Sequence, residues 1–150
     1  MELSFDYYTK IFIGNTVVHQ FKNRILEDDI ISYSKIDNDV ILITFKIKRL
    51  DIYNISCVKE IADTAYNNFI KESKKCFNVI LDCSLITYID SSAVGALLNS
   101  WQKLNKIKKY LILCNVNSVL KQTLKNLYLH NFFLIFNSVE ESVNCLKRKI

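Results

Sequence analysis

Val79-Ile80-Leu81-Asp82-Cys83-Ser84-Leu85-Ile86-Thr87-Tyr88-Ile89-Asp90-Ser91-Ser92-Ala93-Val94-Gly95-Ala96-Leu97-Leu98 carries most of what the chain says about its architecture. Val79-Ile80-Leu81 is short and continuously apolar, the pattern of a parallel strand covered on both faces. A loop then crosses to the surface, and Asp90-Ser91-Ser92 opens a helix. Val94, Leu97, Leu98, Trp101 and Leu104 make its apolar stripe, with Asn99, Gln102, Lys103 and Lys106 opposite. Trp101 continues that stripe and reads as core. The free N–H groups of a helix's first turn carry partial positive charge, so hydroxyl and anionic groups are favoured there. Either Asp90 or Ser91 suits the N-cap. On physics alone two readings stay open: capping, which accounts for every one of these residues, and a phosphate-accepting serine.

Outward from this stretch the pattern alternates. Residues 31–36 and 40–46 are rich in β-branched and aromatic residues and are separated by Asp37-Asn38-Asp39, a polar turn, so they read as a hairpin. Ser56 is placed to cap a helix running to about Lys74, with Val58, Ile61, Ala62, Ala65 and Phe69 on one face. Downstream, residues 110–114 form a second buried strand. Ser118 is placed to cap a helix carrying Leu120, Leu124 and Leu127, and residues 133–136 make a short strand. Ser138 and Glu141 form a capping box before a last helix ending near Lys147. The expected order is ββαβαβαβα, an α/β fold with a mixed sheet of about four or five strands. Residues 1–29 form an N-terminal extension, and residues 30–150 the main domain. Within the extension, residues 7–13 and 16–21 read as β-prone arms joined by Gly14-Asn15, a link that suits a type II′ turn.

Composition narrows the function classes. The chain has 150 residues, half of them apolar, enough for one buried core. Its formal charge of +5 comes from scattered Lys and Arg, which fits a solvated surface better than a nucleic-acid patch. The N-terminus lacks the basic and apolar regions of a signal peptide. No apolar run approaches the ~20 residues that cross a bilayer. A cytoplasmic protein without membrane insertion is expected. The five cysteines are widely spaced with no C-x-x-C pair, which suits neither a disulfide framework nor a zinc site. Cys83 and Cys114 read as small buried hydrophobes. His19 and His130 lie in unrelated contexts. No glycine-rich phosphate loop, Ser-His-Asp set or metal cluster is apparent, so no enzyme activity, catalytic residue, metal or cofactor is expected.

Residues 79–98 closely resemble the signature of the STAS family, the sulphate-transporter and anti-sigma-factor-antagonist domains. That signature is an apolar strand ending in an acidic residue, a loop, Asp-Ser-Ser-Gly-apolar-Gly and an apolar helix. Asp90-Ser91-Ser92-Ala93-Val94-Gly95 matches it, with Ala93 in place of the first Gly. The resemblance takes in Leu50-Asp51, the strand and turn at 111–117, and residues 133–141, about 110 residues in all. Lys108-Lys109 stands where the family often has a Gly-rich turn, and the first thirty residues have no counterpart in a minimal antagonist.

The resemblance implies that Ser92 is the phosphoacceptor, with Asp51, Thr87, Asp90, Ser91, Ala93 and Val94 as its neighbours or as partner contacts. It implies an anti-sigma-factor serine kinase that binds the unphosphorylated protein, and a PP2C-type phosphatase that restores it. It also admits an alternative: a non-phosphorylated accessory subunit of a membrane transport complex of the lipid ABC type. From the residues themselves, Asp51 and Asp90 are equally well read as turn and cap, and Ser91 as a cap rather than a second acceptor. Thr87 and Tyr88 sit on the loop entering the site.

Overall fold

Runs of β-branched residues broken by polar turns dictate the first half of the chain. The computed structural model describes residues 9–13, 16–20 and 30–148. Strands β1 (Thr9–Ile13) and β2 (Thr16–Gln20) pair antiparallel, with Thr9 opposite Gln20 and Ile13 opposite Thr16. The hairpin expected in the N-terminal extension is therefore present with slightly shorter strands; its Gly14-Asn15 turn lies outside the described residues. Strands β3 (Ile31–Asp37) and β4 (Val40–Phe45) form the second hairpin, with Asp37 Oδ1 accepting from Asn38 N–H at 2.8 Å in the turn.

The chain continues as β5 (Arg49–Leu50), α1 (Ile55–Ser73), β6 (Asn78–Asp82), β7 (Tyr88–Ile89), α2 (Ser91–Lys106) and β8 (Leu111–Cys114). It ends with α3 (Ser118–Asn126), a 3-10 turn (Leu129–Asn131), β9 (Leu134–Phe136) and α4 (Val139–Arg148). The main sheet runs β3-β4-β6-β8-β9, antiparallel at β3–β4 and parallel elsewhere. This is the mixed α/β sheet and the ββαβαβαβα order expected, with one addition. Arg49–Leu50 and Tyr88–Ile89, both expected as loop, pair in a separate parallel ladder, Arg49 beside Tyr88 and Leu50 beside Ile89.

Residue parity assigns the two faces of the sheet, because successive strand side chains point to opposite sides. Ile41 and Ile43 of β4, Val79 and Leu81 of β6, and Leu111 and Leu113 of β8 pack in one core cluster. Cys57, Val58 and Ile61 of α1, Ala93 and Leu104 of α2, and Leu120 and Leu124 of α3 belong to the same cluster. The alternate residues Val40, Ile80, Ile112 and Cys114 form a smaller cluster with Leu146 of α4. β6 and β8 thus bury both faces, as their unbroken apolar runs require. Each fully buried Ile, Leu or Val contributes on the order of 1.5–3 kcal/mol relative to exposure.

The helix starts differ in detail from expectation. Ser56 does not cap α1; Asn54 occupies that position, and the Asp51 carbonyl accepts from both Asn54 N–H at 3.1 Å and Ile55 N–H at 2.8 Å. Ser118 does not cap α3 either. Asn117 does, its Oδ1 accepting from Leu120 N–H at 2.8 Å while its Nδ2 donates to the Ile86 carbonyl at 2.7 Å. At α4, Ser138 Oγ accepts from Glu141 N–H at 3.0 Å, but the Glu141 carboxylate reaches Asn137 N–H at 3.1 Å, one residue before the usual capping-box partner. Leu127, expected on the apolar face of α3, is its C-cap and is exposed. Several turns use left-handed residues other than glycine: Lys74, Lys108, Asn115 and Tyr128 have φ of 61°, 61°, 55° and 58°.

Candidate functional site

Asp90 has extended backbone, with φ −104° and ψ −178°, and is the N-cap of α2. Its carbonyl accepts from Val94 N–H at 3.0 Å, and its Oδ1 accepts from Ala93 N–H at 3.0 Å. Its other oxygen, Oδ2, accepts from Ile52 N–H at 2.9 Å, in the loop between β5 and α1. One carboxylate therefore fixes the start of α2 and the neighbouring loop together. The Ala93 N–H bond above all holds the Asp90 carboxyl below the usual carboxylate range; partial burial opposes this, and the Ile52 and Ser92 N–H groups reinforce it.

Ser91 and Ser92 are the first two residues of the helix, Ser91 exposed and Ser92 half-buried. Of the two candidate caps, Asp90 is the one used. Ala93 is fully buried in the core cluster. Its position inside α2 explains why alanine can stand where the family signature has glycine, since alanine is the better helix residue. Val94 is half-buried and packs against that cluster. Lys108 at φ 61° shows the other departure resolved differently: the turn still needs a left-handed residue, and a lysine supplies it.

The flanking loops bring Asp51 and Thr87 to the same end of the sheet. Asp51 is buried; its Oδ1 accepts from Tyr53 N–H at 3.0 Å and its Oδ2 lies 3.5 Å from Arg49 Nε. Arg49 also stacks over the Tyr88 ring, 4.0 Å from its centroid. Thr87 donates from both its N–H, at 2.7 Å, and its hydroxyl, at 3.2 Å, to the Lys48 carbonyl. The turn-and-cap reading of Asp51 and Asp90 is thus what their geometry displays. Both oxygens of Asp90 already accept backbone N–H bonds and the group is acid-shifted, so it makes a poor general base for Ser92.

Of the exposed apolar side chains near the site, sequence reasoning singled out Tyr88 and missed Ile52, Tyr53 and Leu85. Ile52, Tyr53, Leu85 and Tyr88 are 54%, 79%, 48% and 42% exposed, on the segments that flank Asp90. Their individual identities carry no periodic signal; only the folding of two loops to one end of the sheet groups them. In open α/β sheets this end, beyond the carboxyl ends of the parallel strands, is the usual place for ligands. Among the described residues no group of His, Cys, Asp and Glu is arranged to hold a metal ion. No helix among them is long and apolar enough to cross a membrane.

Comparison with known proteins agrees with this layout. The anti-sigma factor antagonist SpoIIAA in its unphosphorylated form superposes with a TM-score of 0.63 at 17% identity, covering 80% of this chain and 97% of that one. The phosphorylated form of the Bacillus protein gives 0.57 at 16%, covering 77% and 98%. The murine anion transporter Solute Carrier 26 family member A9, in its inward-facing state, gives 0.61 at 16%, covering 93% of this chain and 22% of the transporter. These likenesses concern the fold. The family model for the STAS domain matches residues 32–142, which takes in both the main sheet and the Asp90-Ser91-Ser92 turn, and the chain belongs to the STAS domain family.

Proposed function

We propose that the protein is an anti-sigma-factor antagonist in a phosphorylation-controlled partner switch, with Ser92 as the acceptor. Unphosphorylated, it binds an anti-sigma-factor serine kinase; the kinase modifies Ser92 and releases it, and a PP2C-type phosphatase restores the binding form. On this reading residues 30–150 are the switching domain, residues 1–29 an extension, and the protein works in the cytoplasm without catalysing a reaction. One observation carries it. Ser92 lies in the first turn of a helix capped by Asp90, partly exposed, on a fold also found in SpoIIAA, which is known in unphosphorylated and phosphorylated forms.

The physical case is one of unequal costs. A phosphate adds about 1.5 to 2 negative charges. The first turn of α2 tolerates this through its dipole, worth ~0.3–1 kcal/mol, while the nearby Asp90 carboxylate opposes it. The fold therefore changes little. A partner pressed against Ile52, Tyr53, Leu85 and Tyr88 would have to desolvate the phosphate. Tenfold weaker binding needs only ~1.4 kcal/mol. The deciding measurement is intact and peptide mass spectrometry on protein from its own cell. Phosphate on Ser92 in part of the population supports the switch, and a Ser92 unmodified across growth and stress conditions refutes it.

A second reading is a non-phosphorylated accessory subunit of a membrane transport complex, of the lipid ABC type. It is favoured by the likeness to the anion transporter, which spans 93% of the chain, more than residues 30–150 make up. Co-purification with an ATP-binding cassette subunit, undiminished by Ser92→Asp, would select it over the switch.

A further inference from the structure

We propose that the cavity between α1 and α2 is a binding site for the acyl chain of a free medium-chain fatty acid. The cavity is about 270 Å³ and opens to the surface between the two helices. Val79, Leu81 and Leu111 of the sheet form its floor. It exists because the facing helix positions are small: Ala62 on α1, and Ala96 and Ser100 one turn apart on α2. Larger residues there would close the helices' contact, as interiors normally do. An apolar cavity of roughly 150 Å³ already stays dry and takes up a small hydrocarbon, so this larger one has room for a chain.

The mouth determines the head group. Lys59 of α1 reaches across to α2, its Nζ donating to Asn99 Oδ1 at 2.8 Å, and Lys103 of α2 lines the same opening. Asp63 also lines it, but among the described residues no carboxylate pairs with Lys59 or Lys103. Among the described lining residues, two ammonium groups against one carboxylate leave a single net positive charge. That balance suits a monocarboxylate better than a phosphate dianion. The lysine stems can lie along the apolar rim with their charged ends in water, so the head group need not be buried.

The test uses the full chain and decanoate below its micellar concentration, followed by isothermal titration and by native mass spectrometry. Saturable one-to-one binding is expected. Ala96→Phe and Ser100→Leu fill the cavity and should weaken it at least tenfold. Lys103→Glu, an exposed change that leaves the core intact and turns the net charge at the mouth from positive to negative, should weaken it several-fold and reverse the sign of its salt dependence. Absence of saturable binding to the unmodified chain overturns the proposal. So does unchanged affinity in a filled variant that keeps the wild-type circular dichroism, or in Lys103→Glu.

Discussion

Asp90 and Ile52 are joined by a 2.9 Å hydrogen bond across 38 residues of chain, from the Ile52 N–H to Asp90 Oδ2. The same carboxylate caps α2 through Ala93. Asp90→Ala removes both bonds and leaves the Ile52 and Ala93 N–H groups to water. Chemical denaturation should show a lower midpoint with an unchanged m value. Asp90→Asn, which keeps one acceptor oxygen, should fall between the two proteins.

Asp90 also shapes the acid limb of the stability curve. Its carboxyl is held below the ordinary range in the folded chain, chiefly by the Ala93 N–H. A lowered folded pKa contributes stability that is fully present above the unfolded value, about 3.9, and is lost as pH falls through the folded one. The stability gap between wild type and Asp90→Asn should therefore be widest near neutrality and close at lower pH. A gap that widens below pH 4 would contradict the assignment.

Phe77 is completely buried just before β6 and meets Tyr66 and Phe69 edge-to-face at 6.4 and 6.1 Å. Tyr66 hydroxyl donates to the Phe77 carbonyl at 3.0 Å and accepts from its N–H at 3.1 Å. Phe77→Ala should cost about 3–5 kcal/mol, whereas Tyr66→Phe, which loses only the hydroxyl's bonds, should cost about 1–3 kcal/mol. Equilibrium unfolding in urea separates the two.

Lys108, just past the Ile107 C-cap of α2, is in the left-handed region at φ 61°. Its side chain gains nothing from that backbone, and glycine would relieve the strain at some entropic cost. Lys108→Gly should stabilise by about 0.5–1 kcal/mol, a rise in Tm of about 1–4 °C. Loss of stability on this change would mean that the lysine makes a contact worth more than the strain.

Thiol reactivity should follow burial. Cys57, Cys83, Cys114 and Cys145 are buried and Cys76 is only half-buried. Burial pushes the Cys57 and Cys114 thiols up to about 12 and the Cys83 thiol higher still, so none of these three is a thiolate near neutral pH. In native buffer a thiol-reactive dye should label Cys76 first, and peptide mapping should find the other four only after unfolding.

The strands and the stripe of α2 were legible because they are local: Val79-Ile80-Leu81 and the spacing from Val94 to Leu104 need no tertiary information. The Asp90 cap was legible as one of two candidates, since its preference for helix starts is intrinsic. At α1 and α3 intrinsic preference misled: Asn54 takes the first cap position without a side-chain capping bond, its side chain bonding Asp51 N–H and the Arg49 carbonyl instead, and Asn117 competes with nearby Ser118 on nearly equal terms. Asn117 prevails through an additional bond to Ile86 that only the fold supplies. The β5–β7 ladder has two residues per strand and hence no period to read. The opening between α1 and α2 was invisible for another reason: Ala62 and Ala96 look like ordinary helix formers until the two helices face each other.

That two-residue ladder ties the Asp90-Ser91-Ser92 turn to the loop before α1. Leu50 and Ile89 are register partners, and Asp90 N–H donates to the Leu50 carbonyl at 3.2 Å, so the turn is assembled from two distant parts of the chain. A synthetic peptide spanning residues 84–98 contains the whole motif and none of its support. On the proposed switch, an enzyme that recognises Ser92 in this setting would read a conformational epitope, and unfolded or nascent chains carrying the same letters would be silent to it.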